Sequence, residues 1–304
     1  MKKKMFFIYN PHAGKAQIRS NLLDIIDIFV KADYEVTVYP TQEQGDAVRA
    51  TKERAKGYDL LVCSGGDGTL DEVVSGMLEC EEKIPIGYVP AGSTNDFANS
   101  LMIPKNMVKA ADVVVEGHQF ACDMGAFNDD FFVYVAAFGL FTDVSYETKQ
   151  EMKNFLGHAA YVLEGTKRLT SVKSYEMEIE YDGNVIKDEF LFGMVSNSLS
   201  VGGMKNFTGK NVKLDDGLFE VTLIKKPRLL IEYQGIARDL LKGESDSGYI
   251  YMFKTNHLVI RSAEKIPWTL DGEYGGNHTE VVLDNLHQVI KMIVPATMEL
   301  SKTK

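Results

Sequence analysis

Apolar and polar positions fall into alternating blocks along the first third of the chain. Met5 to Tyr9 is a short apolar run stopped by Asn10-Pro11, the pattern of a buried strand entering a turn. From Asn21 to Ala32, Leu22, Leu23, Ile25, Ile26 and Phe29 recur at helical spacing. Tyr34 to Tyr39 alternates as a second strand, and a helical pattern runs from Asp46 to Lys56. Tyr58 to Cys63 is apolar throughout, as in a strand buried on both faces. Val73, Val74 and Met77 then share a helix face, and Ile84 to Val89 reads as a further strand. Strand, loop and helix in repeated order predict a parallel α/β domain with right-handed crossovers. Its ligand-binding loops, at Asn10, Thr41, Gly65 and Ala91, then converge at the carboxyl ends of the strands.

The texture changes after residue 123. Asp143 to Leu169 carries one more helical pattern. Tyr175 to Tyr181 alternates strictly and runs into Asp182-Gly183-Asn184, a hairpin signal. Strand-like runs follow at Phe190–Val195, Leu218–Ile224, Tyr249–Phe253, His257–Ile260, Thr279–Leu283 and Val289–Val294. Pro227 opens a helix that Gly243 closes. This half is expected to be mostly antiparallel, a sandwich or barrel. The domains are therefore set at 1–123 and 124–304.

The stretch Ser64-Gly65-Gly66-Asp67-Gly68-Thr69-Leu70-Asp71-Glu72 joins a strand directly to a helix. Glycines at 65, 66 and 68 let an oxygen-rich ligand approach the backbone. Thr69 stands where an N-cap belongs, with Glu72 at capping-box spacing. A helix N-terminus favours phosphate. Asp67 would repel it, so the turn implies a bridging cation, most simply Mg²⁺, or a hydrogen-bonded sugar. A plain strand-to-helix turn capped by Asp67 is the competing reading. The dinucleotide fingerprint fails at its last glycine, and no Gly-x4-Gly-Lys-Ser/Thr occurs.

Composition narrows the partners. The 304 residues are 45% hydrophobic and 25% charged, as in a well-cored globular protein. A net charge of -10 argues against a nucleic-acid partner. Cys63, Cys80 and Cys122 are an odd number in apolar settings, expected as reduced thiols in a cytoplasm. Lys2-Lys3-Lys4 and the apolar run after it imitate a signal peptide, but Asn10-Pro11 ends that run too early. Phe131 to Phe141 is the longest apolar run, well short of the ~20 residues a membrane span needs.

Six motifs occur in order: Asn10-Pro-x-x-Gly14, Gly65-Gly66-Asp67-Gly68-Thr69, Pro90-Ala-Gly-Ser-Thr-Asn95-Asp96-Phe97, Gly202-Gly203-Met204, Asp215-Asp216-Gly217-Leu218 and Asp271-Gly272-Glu273. Together they resemble the bacterial lipid kinases of the diacylglycerol kinase catalytic-domain family across essentially the whole chain. The resemblance implies an α/β nucleotide domain of the phosphofructokinase and NAD-kinase type, then a β-rich lipid domain with the site between them. In this family the last segment, here roughly Lys291 onward, often returns to the first domain.

By the same resemblance, ATP contacts Asn10, Pro11, His12, Ala13, Gly14, Thr41, the turn Gly65, Gly66, Asp67, Gly68, Thr69, Leu70, Asp71, and Ser93 with Asn95. Lys15 is a further source of positive charge, or a solvated loop lysine. Glu273 becomes the leading base, with Asp271 second, as base or as part of a metal–water network. Asp123 reaches the metal network or is a hinge turn. Lys213 and Leu218 would give carbonyls, and Asp216 its carboxylate, to an accessory Mg²⁺. The implied partner is a lipid at a membrane surface, met peripherally from the cytoplasmic side. Exposed edge strands would allow a homodimer. NAD kinase or phosphofructokinase activity, and a catalytically silent sensor, are the alternatives. The first usually lacks the Pro-x-Gly-x-x-Asn-Asp-Phe segment, and the intact acids at 271 and 273 weigh against the second.

Overall fold

The computed structural model describes residues 2–140, 173–202, 204–205, 211–229, 232–242 and 248–298. The helix expected over Asp143–Leu169, Phe141, Gly203 and the closing Gly243 lie outside the described residues. The protein is an α/β protein that divides into two compact units. One is Met1–Asp123 with His287–Lys304, the other Met124–Leu286.

The first unit runs β1 (Lys3–Tyr9), α1 (Ile18–Lys31), β2 (Tyr34–Pro40), α2 (Asp46–Arg54), β3 (Leu60–Gly65), α3 (Asp67–Leu78), β4 (Ile86–Pro90), α4 (Asp96–Ser100) and α5 (Met107–Glu116). Its strands are parallel in the order β4-β3-β1-β2, with Met5 opposite Leu60 and Leu61 opposite Ile86. β3 and β4 are buried along their whole lengths, which is why they read as unbroken apolar runs. β2 lies at the end of this order and alternates between half-buried and exposed. α1 turns Ile18, Ile25 and Phe29 inward, and Phe29 meets Phe7 edge-on at 5.6 Å. α5 is an addition to the elements expected from the sequence. Its signal is Asn106, whose Oδ1 accepts from Lys109 N at 3.0 Å as an N-cap.

α3 begins three residues earlier than the capping-box pattern suggests. Gly66 is its N-cap and Thr69 lies inside the first turn. Glu72 does not reach back to its own helix. Its carboxylate accepts from Gly45 N at 2.8 Å and Ala47 N at 3.1 Å, at the start of α2. There it satisfies amides that a helix leaves unpaired at its N-terminus.

β5 (His118–Phe127) leads into the second unit, followed by β6 (Asp130–Phe132), β7 (Val135–Gly139), β8 (Tyr175–Tyr181), β9 (Asn184–Ser196), β10 (Ser200–Val201), β11 (Met204–Lys205), β12 (Phe219–Lys225), α6 (Glu232–Lys242), β13 (Ile250–Thr255), β14 (His257–Leu270) and β15 (Glu273–Val294). α6 starts later than Pro227, because Arg228 N and Leu229 N form a turn on the Glu232 carboxylate first. The main strand pairs of this unit are antiparallel. β7 and β8 occupy the same slot end to end, each pairing with β9 and with β14. Long β9 and β14 therefore each run alongside both short strands. Phe132, Phe138, Phe190, Phe219 and Trp268 fill the interior, all but fully buried. Each such aromatic contributes about 2–3 kcal/mol of transfer free energy.

Glu72→Ala removes the cap that α3 supplies to α2 and is expected to cost about 1 kcal/mol, with Glu72→Gln costing less. Chemical denaturation of the two variants checks the order; an Ala variant as stable as wild type would contradict the capping role.

Candidate active site

The loops after the four parallel strands meet through main chain. Asn10 N donates to the Ser64 carbonyl at 2.8 Å, Thr41 N to Tyr9 at 2.9 Å, and Ala91 N to Gly65 at 2.7 Å. Three glycines make this approach possible. A Cβ on Gly14, which has φ +55°, would stand 2.2 Å from the Ala91 carbonyl oxygen. One on Gly92 would stand 2.7 Å from the Gly66 Cα, and one on Gly65 2.4 Å from the Thr69 Cβ. No side chain fits at these positions, so the glycines are structural necessities.

Polar side chains lock the same loops. Asn10 accepts from His12 N at 2.9 Å and donates Nδ2–H to Thr69 Oγ1 at 3.3 Å, tying the first loop to α3. Asn95 is left-handed at φ +52° and buried; its Oδ1 accepts from Gly92 N and its Nδ2 donates to the Gly92 carbonyl. Asn95 thus shapes the loop, while Ser93 beside it is exposed. Asp46 holds the loop at Thr41, accepting from Gln42 N at 2.9 Å and from Tyr39 Oη at 3.0 Å. Burial acts to raise its pKa, but those donors and the Arg49 guanidinium together keep it below the usual carboxylate range.

Among the residues expected at the nucleotide, Pro11, His12 and Gly14 lie at the surface or partly so, and Lys15 is exposed. Thr41 and Thr69 are buried but border the loops. Ala13 and Leu70 point inward as core, so only their main chain is placed to touch a ligand. Asp67 and Asp71 stand one turn apart on the same face of α3. Tyr88 Oη donates to the Gly65 carbonyl at 3.1 Å. Burial pushes its hydroxyl well above the ordinary range, and the Asp67 charge adds to the shift.

In the second unit, Asp271 and Gly272 form the two-residue turn of the β14–β15 hairpin, both left-handed, with Leu270 opposite Glu273. The Asp271 carboxylate is buried and accepts from Val133 N at 2.5 Å, Tyr134 N at 3.0 Å and Val135 N at 2.9 Å. Its oxygens organise the segment ahead of β7, which fits an anchor better than a base. Glu273, two residues on, is exposed. Asp123, at the end of the first unit, is fully buried and accepts from His287 Nδ1 at 3.0 Å and Gln288 N at 2.7 Å. One of its oxygens is therefore engaged in holding the returning segment.

The Asp215-Asp216-Gly217-Leu218 turn holds an ammonium. Asp216 Oδ1 accepts from Leu218 N at 3.2 Å, and Oδ2 stands 3.3 Å from Lys254 Nζ. Lys254 also donates to the Asn211 carbonyl at 2.9 Å and pairs with Glu220 at 2.8 Å. Lys213 is exposed. Burial raises the Glu220 carboxyl to about 7, against the lowering effect of Lys254. Among the described residues no cluster of three His, Cys, Asp or Glu side chains could hold a metal ion.

The sequence model of the diacylglycerol kinase catalytic domain matches residues 4–127. A diacylglycerol kinase of Bacillus subtilis (strain 168) is 36% identical over 297 residues, covering 96% of this chain and 97% of the relative. The chain belongs to the diacylglycerol kinase family. A diacylglycerol kinase of Staphylococcus carnosus (strain TM300) is likewise 36% identical over 298 residues, 97% of this chain and 96% of that one. A crystal structure of a diacylglycerol kinase from Bacillus anthracis str. Sterne superposes with a TM-score of 0.77 at 25% identity, covering 97% and 98% of the two chains.

Glu220 gives a pH signature with a definite sign. The folded protein binds its extra proton between the ordinary carboxyl value of 4.5 and about 7. The associated stability is present below that window and lost as pH rises through it. Glu220→Gln should therefore gain melting temperature relative to wild type on going from about pH 5 to about pH 8. Thermal melts at the two pH values check it; a constant difference would refute the burial of a charge there.

Proposed function

We propose that this protein is an ATP-dependent lipid kinase that phosphorylates the primary hydroxyl of a diacylglycerol, giving phosphatidic acid. The observation that carries the reading is the glycine-built cradle at the carboxyl ends of β1, β3 and β4, with α3 opening from it. Similarity to diacylglycerol kinases over nearly the whole chain accompanies it. The parallel order β4-β3-β1-β2 supports a nucleotide domain of the phosphofructokinase and NAD-kinase type. The antiparallel ladders of the second unit support a sandwich that receives the lipid.

The cradle fits a polyphosphate by its chemistry. It offers main chain rather than bulky side chains, and the N-terminal end of α3 brings a positive dipole end. Asp67 and Asp71 fit Mg²⁺, which prefers oxygen ligands and would neutralise charge on the transferring phosphoryl group. Asn10 and Asn95 keep the loops in register. Lys15 adds positive charge at the rim. Glu273 would take the proton from the lipid hydroxyl as the oxygen attacks the γ-phosphorus in line, while the bond from that phosphorus to the β–γ bridging oxygen breaks and ADP leaves. Asp271 keeps the Glu273 hairpin fixed on the 133–135 segment. An accessory Mg²⁺ does not fit the Asp216 turn as it stands, because Lys254 supplies the positive charge there.

No helix among the described residues is long and apolar enough to cross a membrane. A diacylglycerol lies in a membrane, so the substrate reading carries with it peripheral contact at the cytoplasmic face.

Glu273→Gln should retain ATP binding and lose ~10²–10⁴-fold in kcat. Transfer of labelled phosphate from ATP to diacylglycerol micelles measures this, with NAD and sugar phosphates as control acceptors. Full turnover by the variant removes Glu273 from the base role; labelling of NAD instead of lipid removes the substrate. Asp67→Asn is expected to weaken the Mg²⁺ dependence of turnover, read as a higher Mg²⁺ concentration at half-maximal rate.

A further inference from the structure

The strand that carries Glu273 contains an irregularity just beyond it. Thr269 pairs with Tyr274, but Pro267 pairs with Asn277, so one extra residue lies across from Trp268. Gly275 and Gly276 fill the bulge, with Gly276 at φ +91°. A bulge of this kind re-aims the side chains beside it, and Gly276 takes a left-handed φ that a side chain would resist. Two adjacent glycines would leave it loose unless something holds it.

His278 holds it. Its Nε2 lies 2.9 Å from the Gly275 carbonyl oxygen, which can only accept, so Nε2 carries the proton. Its Nδ1 faces Asn128 Nδ2 at 3.4 Å. The orientation of Asn128 is fixed, because its Oδ1 accepts from Val282 N at 2.9 Å. Nδ1 therefore meets an N–H donor and presents its lone pair. The ring also packs edge-on to Phe127 at 5.3 Å and lies where a Cβ of Gly276 would be, 2.6 Å from Nε2. The imidazole thus bridges the bulge on one side and β5 on the other.

We infer that His278 is a positioning residue for the phosphoryl-transfer reaction, fixing the direction of Glu273 by clamping the Gly275-Gly276 bulge that follows it, as Asp271 anchors the turn that precedes it. The inference rests on the assignment of Glu273 as the base. Glu273 is then held between two clamps: the Asp271 carboxylate on the 133–135 amides, and the His278 N–H on the bulge carbonyl.

Two variants separate the donor from the ring. His278→Phe keeps an aromatic ring against Phe127 but cannot donate; His278→Gln keeps an N–H of similar reach. In the full-length protein, His278→Phe should lower kcat ~10–100-fold, the scale of a misplaced catalytic group, while KM for ATP stays within about two-fold. His278→Gln should restore most of the loss. Amide hydrogen exchange of the 270–280 segment supplies a readout besides activity, faster in His278→Phe and near wild type in His278→Gln. Equal kcat losses in both variants, or none in His278→Phe, would overturn the clamp. Glu273→Gln is run alongside. If that variant stays active, the base assignment fails, and the exchange data still decide whether His278 holds the bulge.

Discussion

The contact on which the candidate site depends is backbone against backbone. The loops after β1, β3 and β4 press together where Gly14 meets the Ala91 carbonyl and Gly66 meets Gly92, closer than any side chain would permit. Two main-chain hydrogen bonds, Asn10 to Ser64 and Ala91 to Gly65, join the same loops. What results is a surface made largely of peptide groups. Such a surface suits a ligand that is itself all oxygen and charge. It also explains why Ala13 and Leu70, within the motifs, turn inward and serve the core.

Carboxylates do most of the remaining work of organisation, and they do it through amides. Glu72 caps a neighbouring helix, Asp46 orders the turn at Gln42, Asp123 holds Gln288, and Asp271 gathers three consecutive N–H groups. A charge-assisted bond of this kind is stronger than a neutral one, and it fixes geometry as well as energy. Glu273 differs, being exposed and without a role in holding the hairpin. Glu220 differs in the other direction, a buried acid whose proton is retained to near neutrality even with Lys254 beside it.

Much of this was readable in the residues. The periodicity placed β1 through β4 and α1 through α3 within a few positions, because buried parallel strands and amphipathic helices leave strong local patterns. Tyr175 to Tyr181 and its Asp182-Gly183 turn appeared with the same bounds. What periodicity could not show were contacts between distant segments. Glu72 sits at capping-box spacing, yet caps a helix whose N-cap, Gly45, lies 27 positions earlier. β14 was legible only as His257–Ile260, where its ladder shifts at Arg261/Ile266, and β15 only as Thr279–Leu283 and Val289–Val294, divided at Gln288 with φ +50°. His278 gave no signal, since its partners are a carbonyl and an asparagine 150 residues away. Lys254, too, could not be matched to Asp216 from spacing alone.

One feature bears on the order in which the chain completes itself. β15 starts in the second unit and ends in the first, where Met292 pairs with Ile86 along the outer side of β4. A ribosome releases the four parallel strands of the first unit early, but the strand that covers β4 emerges nearly 200 residues later, once the whole second unit has been made. Until then β4 offers an open edge, the kind of surface that recruits foreign strands. The first unit begun is thus the last one finished.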